Sequence, residues 1–180
     1  YPAKSNRPSH LFSWYLKKRI GEIQHFIEEP YLVQESTLKN LLLSSKNTEF
    51  GNKYGFSSIN NEEDFKNLVP LHCYDNLEPY INKMKNGESG ILWPGRVKWF
   101  AQSSGTSNQK IKHIPITNES LKKCHYKGGK DLLALYYHEN PETKLFTGKH
   151  LIAGGSSSTY FGNKKSVIGD LSAIIIQHLP

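Results

Sequence analysis

Hydrophobic side chains in the first half of the chain recur every three or four residues, which is the spacing of one face of a helix. From Leu11 to Ile27 this spacing predicts an amphipathic helix, with Ser9 available as its cap. Three more helices are predicted from the same signals: residues 33–46, Asn61 to just before Pro70, and Asp75, as N-cap, to Asn86 and Gly87.

The pattern changes after Pro94 and Gly95 to short runs of aromatic and β-branched residues. These runs predict two strands, 97–102 and 111–116, joined by a loop rich in Ser, Gly, Thr and Asn. A helix should follow from Thr117 or Asn118 to about Tyr137, and we expect close packing or a bend at Gly128 and Gly129. The last predicted segments are a third strand over 144–153 and a final helix over 169–178. Between them, residues 154–158 are expected to be a flexible connection, with a second anion-binding nest as the alternative.

Helices followed by a β-loop-β-α-β order predict an α/β fold with a helical N-terminal layer. We expect a helical part over 1–95 and an α/β part, carrying the Ser-rich loop, over 96–180. The segment from Ala173 to Ile176 is apolar all round, so it should be buried against a part of the domain that follows it.

Membrane insertion is excluded by the length of the apolar runs, because a spanning helix needs roughly 18 residues without charges. Two cysteines are too few for a disulfide framework and match no zinc spacing with the histidines, so no metal site is predicted. A signal peptide has a basic stretch followed by an apolar one, and the N-terminus of this sequence has no such pattern. We therefore expect a cytoplasmic protein.

The positive charge is concentrated in one segment. Residues 1–95 carry 11 basic and 11 acidic side chains, and residues 131–180 carry four of each. The net charge of +7 therefore lies within 96–130, where eight basic residues face only Glu119. An anionic ligand is expected there, although a solvated helix face would give the same count.

The loop that follows the first predicted strand carries the strongest chemical signal. Gly105 permits close approach of the backbone to a ligand, the neighbouring hydroxyls can donate to anionic oxygens, and Lys112 adds a cation. These are the groups that bind polyphosphate. The spacing differs from that of a Walker-type P-loop. An ordinary turn between strands has a similar composition, so the alternative stays open.

The sequence has features of two other classes of function. A nucleic-acid-binding module is the main alternative, because Trp99, Phe100 and Tyr126 accompany the basic segment, but the basic residues surround a loop instead of forming a stripe. A serine hydrolase lacks the G-x-S-x-G pattern. His113, His125 and His150 are expected to be surface or loop histidines and not catalytic bases, and Cys124 is expected to be a small buried residue.

The loop Ser103-Ser104-Gly105-Thr106-Ser107, with Lys112 and Pro115 after it, resembles the phosphate loop of the auxin-responsive Gretchen Hagen acyl-acid amido synthetases. These enzymes belong to the adenylate-forming superfamily. The order and spacing of other segments are similar to those of bacterial members: Thr48 to Gly51 with Tyr54, Phe65 to Pro70, Tyr80 with Ile81, Leu92 to Pro94, and Gly169 to Ala173. Plant members commonly have glycine after the Ser-Gly-Thr-Ser core, where this chain has Asn108 and Gln109.

The resemblance implies a two-step ligase reaction. A carboxylic acid attacks the α-phosphate of Mg²⁺-ATP, and an amino acid then displaces AMP to form an amide. Small acid and amino acid substrates are thus the expected partners, and neither nucleic acid nor membrane is. The resemblance implies that the nucleotide is bound by Ser103, Ser104, Gly105, Thr106, Ser107 and Lys112. It also implies, through the helix after the loop, that Tyr126 and Lys130 contact the acid.

Members of this family are considerably longer than 180 residues. Their adenine site, their acidic residues for magnesium and their mobile C-terminal domain with the catalytic lysine have no counterpart that can be located in this sequence. The resemblance therefore implies an N-terminal part of such an enzyme, with no catalytic residue assigned. We expect that it does not complete turnover without the C-terminal part.

Overall fold

The computed structural model describes residues 10–103, 111–145, 149, 151–160 and 166–179. The first part of the chain is helical, as its hydrophobic spacing predicts. Among the described residues, no helix combines the length and the apolar character needed to cross a membrane. The helices of this part are α1 (His10–Glu28), α2 (Pro30–Ser45), α3 (Glu49–Lys53), α4 (Glu62–Leu68) and α5 (Tyr74–Lys85), with a 3₁₀ turn at Phe56–Ser58.

Side-chain caps determine where several of these helices begin. The hydroxyl of Thr48 accepts a hydrogen bond from the Gly51 amide at 3.0 Å, and the Asn61 side chain accepts one from the Asp64 amide at 2.9 Å. Asp75 does not cap α5, contrary to expectation. It lies in the first turn, and the preceding boundary residue is Cys73, whose amide donates to the side chain of Asn76 at 3.0 Å.

The second part of the chain contains a four-stranded mixed sheet in the order β2-β1-β4-β3. Strand β1 pairs antiparallel with β2 and parallel with β4, and β3 pairs antiparallel with β4. Phe100 and Ala101 of β1 are buried on opposite faces of the sheet, Phe100 against α5 and Ala101 against α8. The strands are β1 (Trp99–Gln102), β2 (His113–Ile116), β3 (Ser157–Tyr160) and β4 (Ser166–Gly169).

The predicted third strand over 144–153 is wrong for the described residues 151–153, which are not extended in a ladder. Leu151 is 98% exposed and Ile152 is 59% exposed. The place beside β4 is taken by Ser157–Tyr160, so part of the predicted connection forms a strand instead. Apolar composition at 151–153 is not sufficient for a strand because no neighbouring backbone accepts its hydrogen bonds.

The helix after β2 is irregular, but not at the two glycines. It consists of α6 (Asn118–Ser120), a π-helical turn (Leu121–His125) and α7 (Tyr126–Glu139), and the Thr117 hydroxyl caps it by accepting from the Ser120 amide at 2.9 Å. A Cβ on Gly128 or Gly129 would meet no atom within 4 Å. The expected close packing is thus absent there, and the irregularity lies one turn earlier.

The last helix, α8 (Leu171–Gln177), begins where the sequence predicts. Ile174 is completely buried against Ala101, Ile116 and Leu121, so the sheet and the helix before α7 bury this side chain. Ile175 and Ile176 are half-buried. Part of the apolar surface of α8 therefore has its partner inside the described fold.

Candidate functional site

The candidate site begins at the end of the β1–β2 hairpin. Gln102 lies opposite His113 in the antiparallel register, and the Ser103 amide donates to the Lys112 carbonyl at 3.0 Å. This bond closes the neck of the predicted phosphate loop. Ser103 is half-buried and Lys112 is exposed. Ser104, Gly105, Thr106 and Ser107 lie outside the described residues.

The sheet topology places this neck at an edge where ligands commonly bind. Strands β1 and β4 are parallel, with Ala101 beside Gly169, so their carboxyl ends lie at the same edge. The loop leaves β1 at this edge, and α8 begins there after β4. In open sheets with parallel strands, the crevice beyond these ends is the usual position of a ligand.

Tyr74, at the start of α5, holds the second strand of the hairpin. Its hydroxyl accepts a hydrogen bond from the His113 amide at 2.8 Å. The Lys112 Nζ lies 5.7 Å from the centroid of the Tyr74 ring, within the range of a cation–π contact. Sequence reasoning missed Tyr74, because its distance of 38 positions from Lys112 gives no local signal.

His113 is a structural residue of β2 that shares this environment. Burial is the main cause that lowers the pKa of its imidazole from the ordinary 6.5, the positive charge of Lys85 lowers it further, and Glu78 opposes the shift. The ring is therefore neutral at neutral pH. Lys112 is then the cation at the neck whose position the structure describes.

Tyr126 and Lys130, the predicted contacts for the acid, lie in different surroundings. The Tyr126 hydroxyl donates to the carbonyls of Ile175 and His178 at the end of α8. Lys130 instead lies against α1, with its Nζ 5.8 Å from the centroid of the Tyr15 ring. The structure thus places Tyr126 toward α8 and Lys130 toward α1, and their role toward the acid stays a prediction.

The second small-residue segment, 154–158, is a structured connection. The Gly155 amide donates to the hydroxyl of Ser172 at 3.0 Å, and the Ser156 amide donates to the carboxylate of Asp170 at 2.9 Å. A Cβ on Gly155 would lie 2.1 Å from that carboxylate, which explains the need for glycine. The Ser172 hydroxyl and the Asp170 carboxylate therefore occupy the two amides that an external anion would use.

The two cysteines and the residues that could bind a metal ion are the remaining reactive groups. Cys124 is exposed on the π-helical turn, so the expectation that it is buried is wrong, and Cys73 is exposed as well. In the described part of the chain, no group of three or more His, Cys, Asp or Glu side chains is arranged to hold a metal ion. No nucleophile or metal centre is therefore assigned.

The chain is similar to known proteins in sequence and in fold. Residues 19–178 match the model of the GH3 family N-terminal domain. The chain belongs to the GH3 family. Its similarity to the solved GH3.15 acyl acid amido synthetase in complex with 2,4-DB covers 90% of this chain and 28% of that chain, with a TM-score of 0.76 and 22% identity. This likeness shows the fold, an α/β arrangement of helices and a small mixed sheet.

Two relatives from plants are similar to this chain in sequence. The jasmonoyl–L-amino acid synthetase JAR6 of Nicotiana attenuata is 30% identical over 106 residues, which is 58% of this chain and 18% of the relative. The indole-3-acetic acid-amido synthetase GH3.2 of Arabidopsis thaliana is 32% identical over 105 residues, 58% of this chain and 19% of the relative. The chain thus spans about a fifth of the length of these GH3 relatives, and the expected bacterial source finds no support in them.

Proposed function

We propose that this chain forms the phosphate-binding part of an ATP-dependent acyl-acid amido synthetase. In the first step, a carboxylate oxygen of the acid attacks the α-phosphorus of ATP, and the bond to the β-phosphate breaks, releasing pyrophosphate. In the second step, the amine of an amino acid attacks the acyl carbon and AMP leaves with the bonding electron pair. Family membership and the names of the relatives support this reaction class.

The observation that carries the proposal is the closed neck of the β1–β2 loop at the carboxyl edge of the parallel strands. There the Ser103 amide donates a hydrogen bond to the Lys112 carbonyl, which brings the two ends of the loop together. Hydroxyls and glycine amides in one loop, beside a lysine, match the oxygens and charge of a triphosphate. We propose Ser103, Ser104, Gly105, Thr106, Ser107 and Lys112 as the nucleotide-binding residues.

The contribution of these groups to rate would be electrostatic. Negative charge increases on the departing pyrophosphate, and donors that already point at those oxygens stabilise it without reorganising. Tyr74 is a positioning residue in this scheme, because it holds the His113 amide and lies beside Lys112. Tyr74 therefore holds the neck of the loop, at Lys112 and His113, against the helical layer.

The acid and the metal ion are assigned more coarsely. We propose Tyr126 and Lys130 as contacts of the acid, with the Tyr126 hydroxyl already donating to carbonyls of α8 and the ring left as the contact surface. Mg²⁺ is expected from the reaction type, since it neutralises phosphate charge during adenylation. We assign it no ligand among the described residues. We retain the cytoplasm as the proposed compartment.

Calorimetric titration with Mg²⁺-ATP tests the nucleotide site. Replacing Lys112 by Ala should weaken ATP binding about tenfold or more, because a charged donor to phosphate is lost. Lys98→Ala is the matched control, since Lys98 is exposed at the opposite end of β1 and lies in the same basic segment. Equal affinity for both variants would contradict the assignment of Lys112.

Turnover provides a separate test. We expect no amide or hydroxamate when this chain is supplied with ATP, a carboxylic acid and an amino acid or hydroxylamine. Product formed by this chain alone would refute the expectation that the C-terminal part is required. Absence of any heat with ATP on the longest available polypeptide would refute the proposed function itself.

A further inference from the structure

A cleft between α1 and the helix that follows β2 is lined by several basic side chains. Its volume is about 290 Å³, and its lining includes Lys18, Lys122, Lys127 and Lys130. Arg19 also lines the cleft but is neutralised by Glu22 and Asp131, which both bond to its guanidinium. The four lysines, Arg19 and these two carboxylates together give a net charge of +3.

The cleft also contains one carboxylate, that of Glu22, which is bonded to Arg19. Within the residues that the structure describes, none of the four lysines forms an ion pair with a carboxylate. Like charges drawn to one small cleft repel each other, and the repulsion is relieved by an anion bound among them. The cleft therefore favours a ligand with several negative charges.

Aromatic rings lie beside three of the four ammonium groups. Lys18 Nζ is 5.8 Å from the centroid of the Trp14 ring, and Lys130 Nζ is 5.8 Å from that of Tyr15. Lys127 Nζ is 4.9 Å from the centroid of the Phe26 ring. These contacts leave the ammonium charges in place, because an aromatic face has no net charge that could neutralise them.

We propose that this cleft binds a compact diphosphate group, either free pyrophosphate or the diphosphate of a nucleotide. Lysine binds phosphate as a point charge and needs no fixed planar geometry, which suits ammonium groups arriving from two helices. The small volume and the convergence of charge favour a compact anion over a strand of nucleic acid, which follows an extended basic stripe.

This site is independent of the proposed nucleotide loop. None of its lining residues belongs to the neck formed by Ser103 and Lys112, and Lys112 lies against Tyr74 on α5. Loss of one site should therefore leave the other in place. An experiment can therefore refute the proposed cleft site without refuting the proposed nucleotide loop, and the reverse also holds.

Calorimetric titration with sodium pyrophosphate at low ionic strength tests the cleft. The double variant Lys18→Ala/Lys122→Ala should weaken binding about tenfold, since two charges leave the cleft. The matched control is Lys17→Ala/Lys123→Ala, which removes the same charge from the adjacent, exposed positions that do not line the cleft. The control should retain the affinity of the cleft. Lys112→Ala should retain it too and should weaken only the binding of pyrophosphate at the loop, and circular dichroism checks that every variant is folded.

The outcomes separate the alternatives. Equal weakening in the two double variants would show a general field effect, and weakening only in Lys112→Ala would place the anion at the loop; either result overturns the proposal. Tighter binding of single-stranded DNA, weakened alike by both double variants, would overturn it in favour of a nucleic-acid surface. ADP binding to Lys112→Ala that depends on Lys18 and Lys122 would identify a nucleotide as the source of the diphosphate, and binding of pyrophosphate alone would identify the free anion.

Discussion

Replacing Asp131 by Ala removes one of two carboxylates that hold the guanidinium of Arg19 between α1 and α7. The Arg19 side chain is only 6% exposed, and Asp131 accepts hydrogen bonds from its Nε and from one Nη, the latter at 2.8 Å. The hydrogen bond to Asp131 raises the pKa of Arg19 above its ordinary value, against the opposing effect of burial. The pair therefore compensates the cost of burying the charge.

The exposed fractions of the two carboxylates determine the expected magnitude. Breaking a fully buried ion pair from one side costs about 3–5 kcal/mol. Asp131 is 24% exposed and Glu22 remains beside Arg19, so we expect Asp131→Ala to lower the free energy of unfolding by about 2 kcal/mol. Glu22 is 48% exposed, and Glu22→Ala should cost about 0.5 kcal/mol, as a solvent-screened pair does.

Urea denaturation followed by circular dichroism measures both values, with the slope checked for constancy. A double-mutant cycle with Arg19→Met isolates the coupling between Arg19 and Asp131. Equal effects of the Asp131 and Glu22 variants would refute the reasoning, because burial would then not govern the strength of the pair. A coupling near zero would refute it as well.

Two further predictions concern packing and pH. A Cβ on Gly51 would lie 2.1 Å from the backbone oxygen of Ser45, so Gly51→Ala should destabilise the fold by about 3 kcal/mol. Gly128 has open space around it, so Gly128→Ala should stabilise α7 by about 1 kcal/mol. Thermal unfolding measures both changes, and similar shifts of the two variants would contradict the geometry. Because burial lowers the pKa of His113 below 6.5, the unfolded chain binds more protons, so the stability that this group contributes is complete above pH 6.5 and is lost as the pH falls through the folded pKa. His113→Gln should therefore reduce the slope of stability against pH in that window, and identical slopes would show that His113 is not responsible.

The hairpin shows how far local pattern carries the site. The residue types of β1 and β2 and the small residues between them predict two strands and a loop. The structure confirms the two strands, which pair from Trp99–Ile116 to Gln102–His113. The two strands can be predicted because they follow each other along the chain, so the signals for both lie in one stretch of sequence. Tyr74, which fixes the same hairpin, comes from a distant helix and leaves no mark near the loop.

The strand that was predicted over 144–153 illustrates the opposite case. Alternation and apolar character favour a strand there, but a ladder needs a partner edge, and the edge of β4 is occupied by Ser157–Tyr160. Competition between two segments for one edge is decided by the whole sheet. Local propensity does not contain that information.

By itself, the sequence determined the helical first part, the hairpin with its Ser-rich loop, the family resemblance and the confinement of the net charge to residues 96–130. Only the tertiary structure decided how that charge divides: Lys112 lies at the neck beside Tyr74, whereas Lys122, Lys127 and Lys130 face α1. The physical reason is that charge along a chain is additive and can be counted, but the field at a site depends on distances between residues that folding alone brings together.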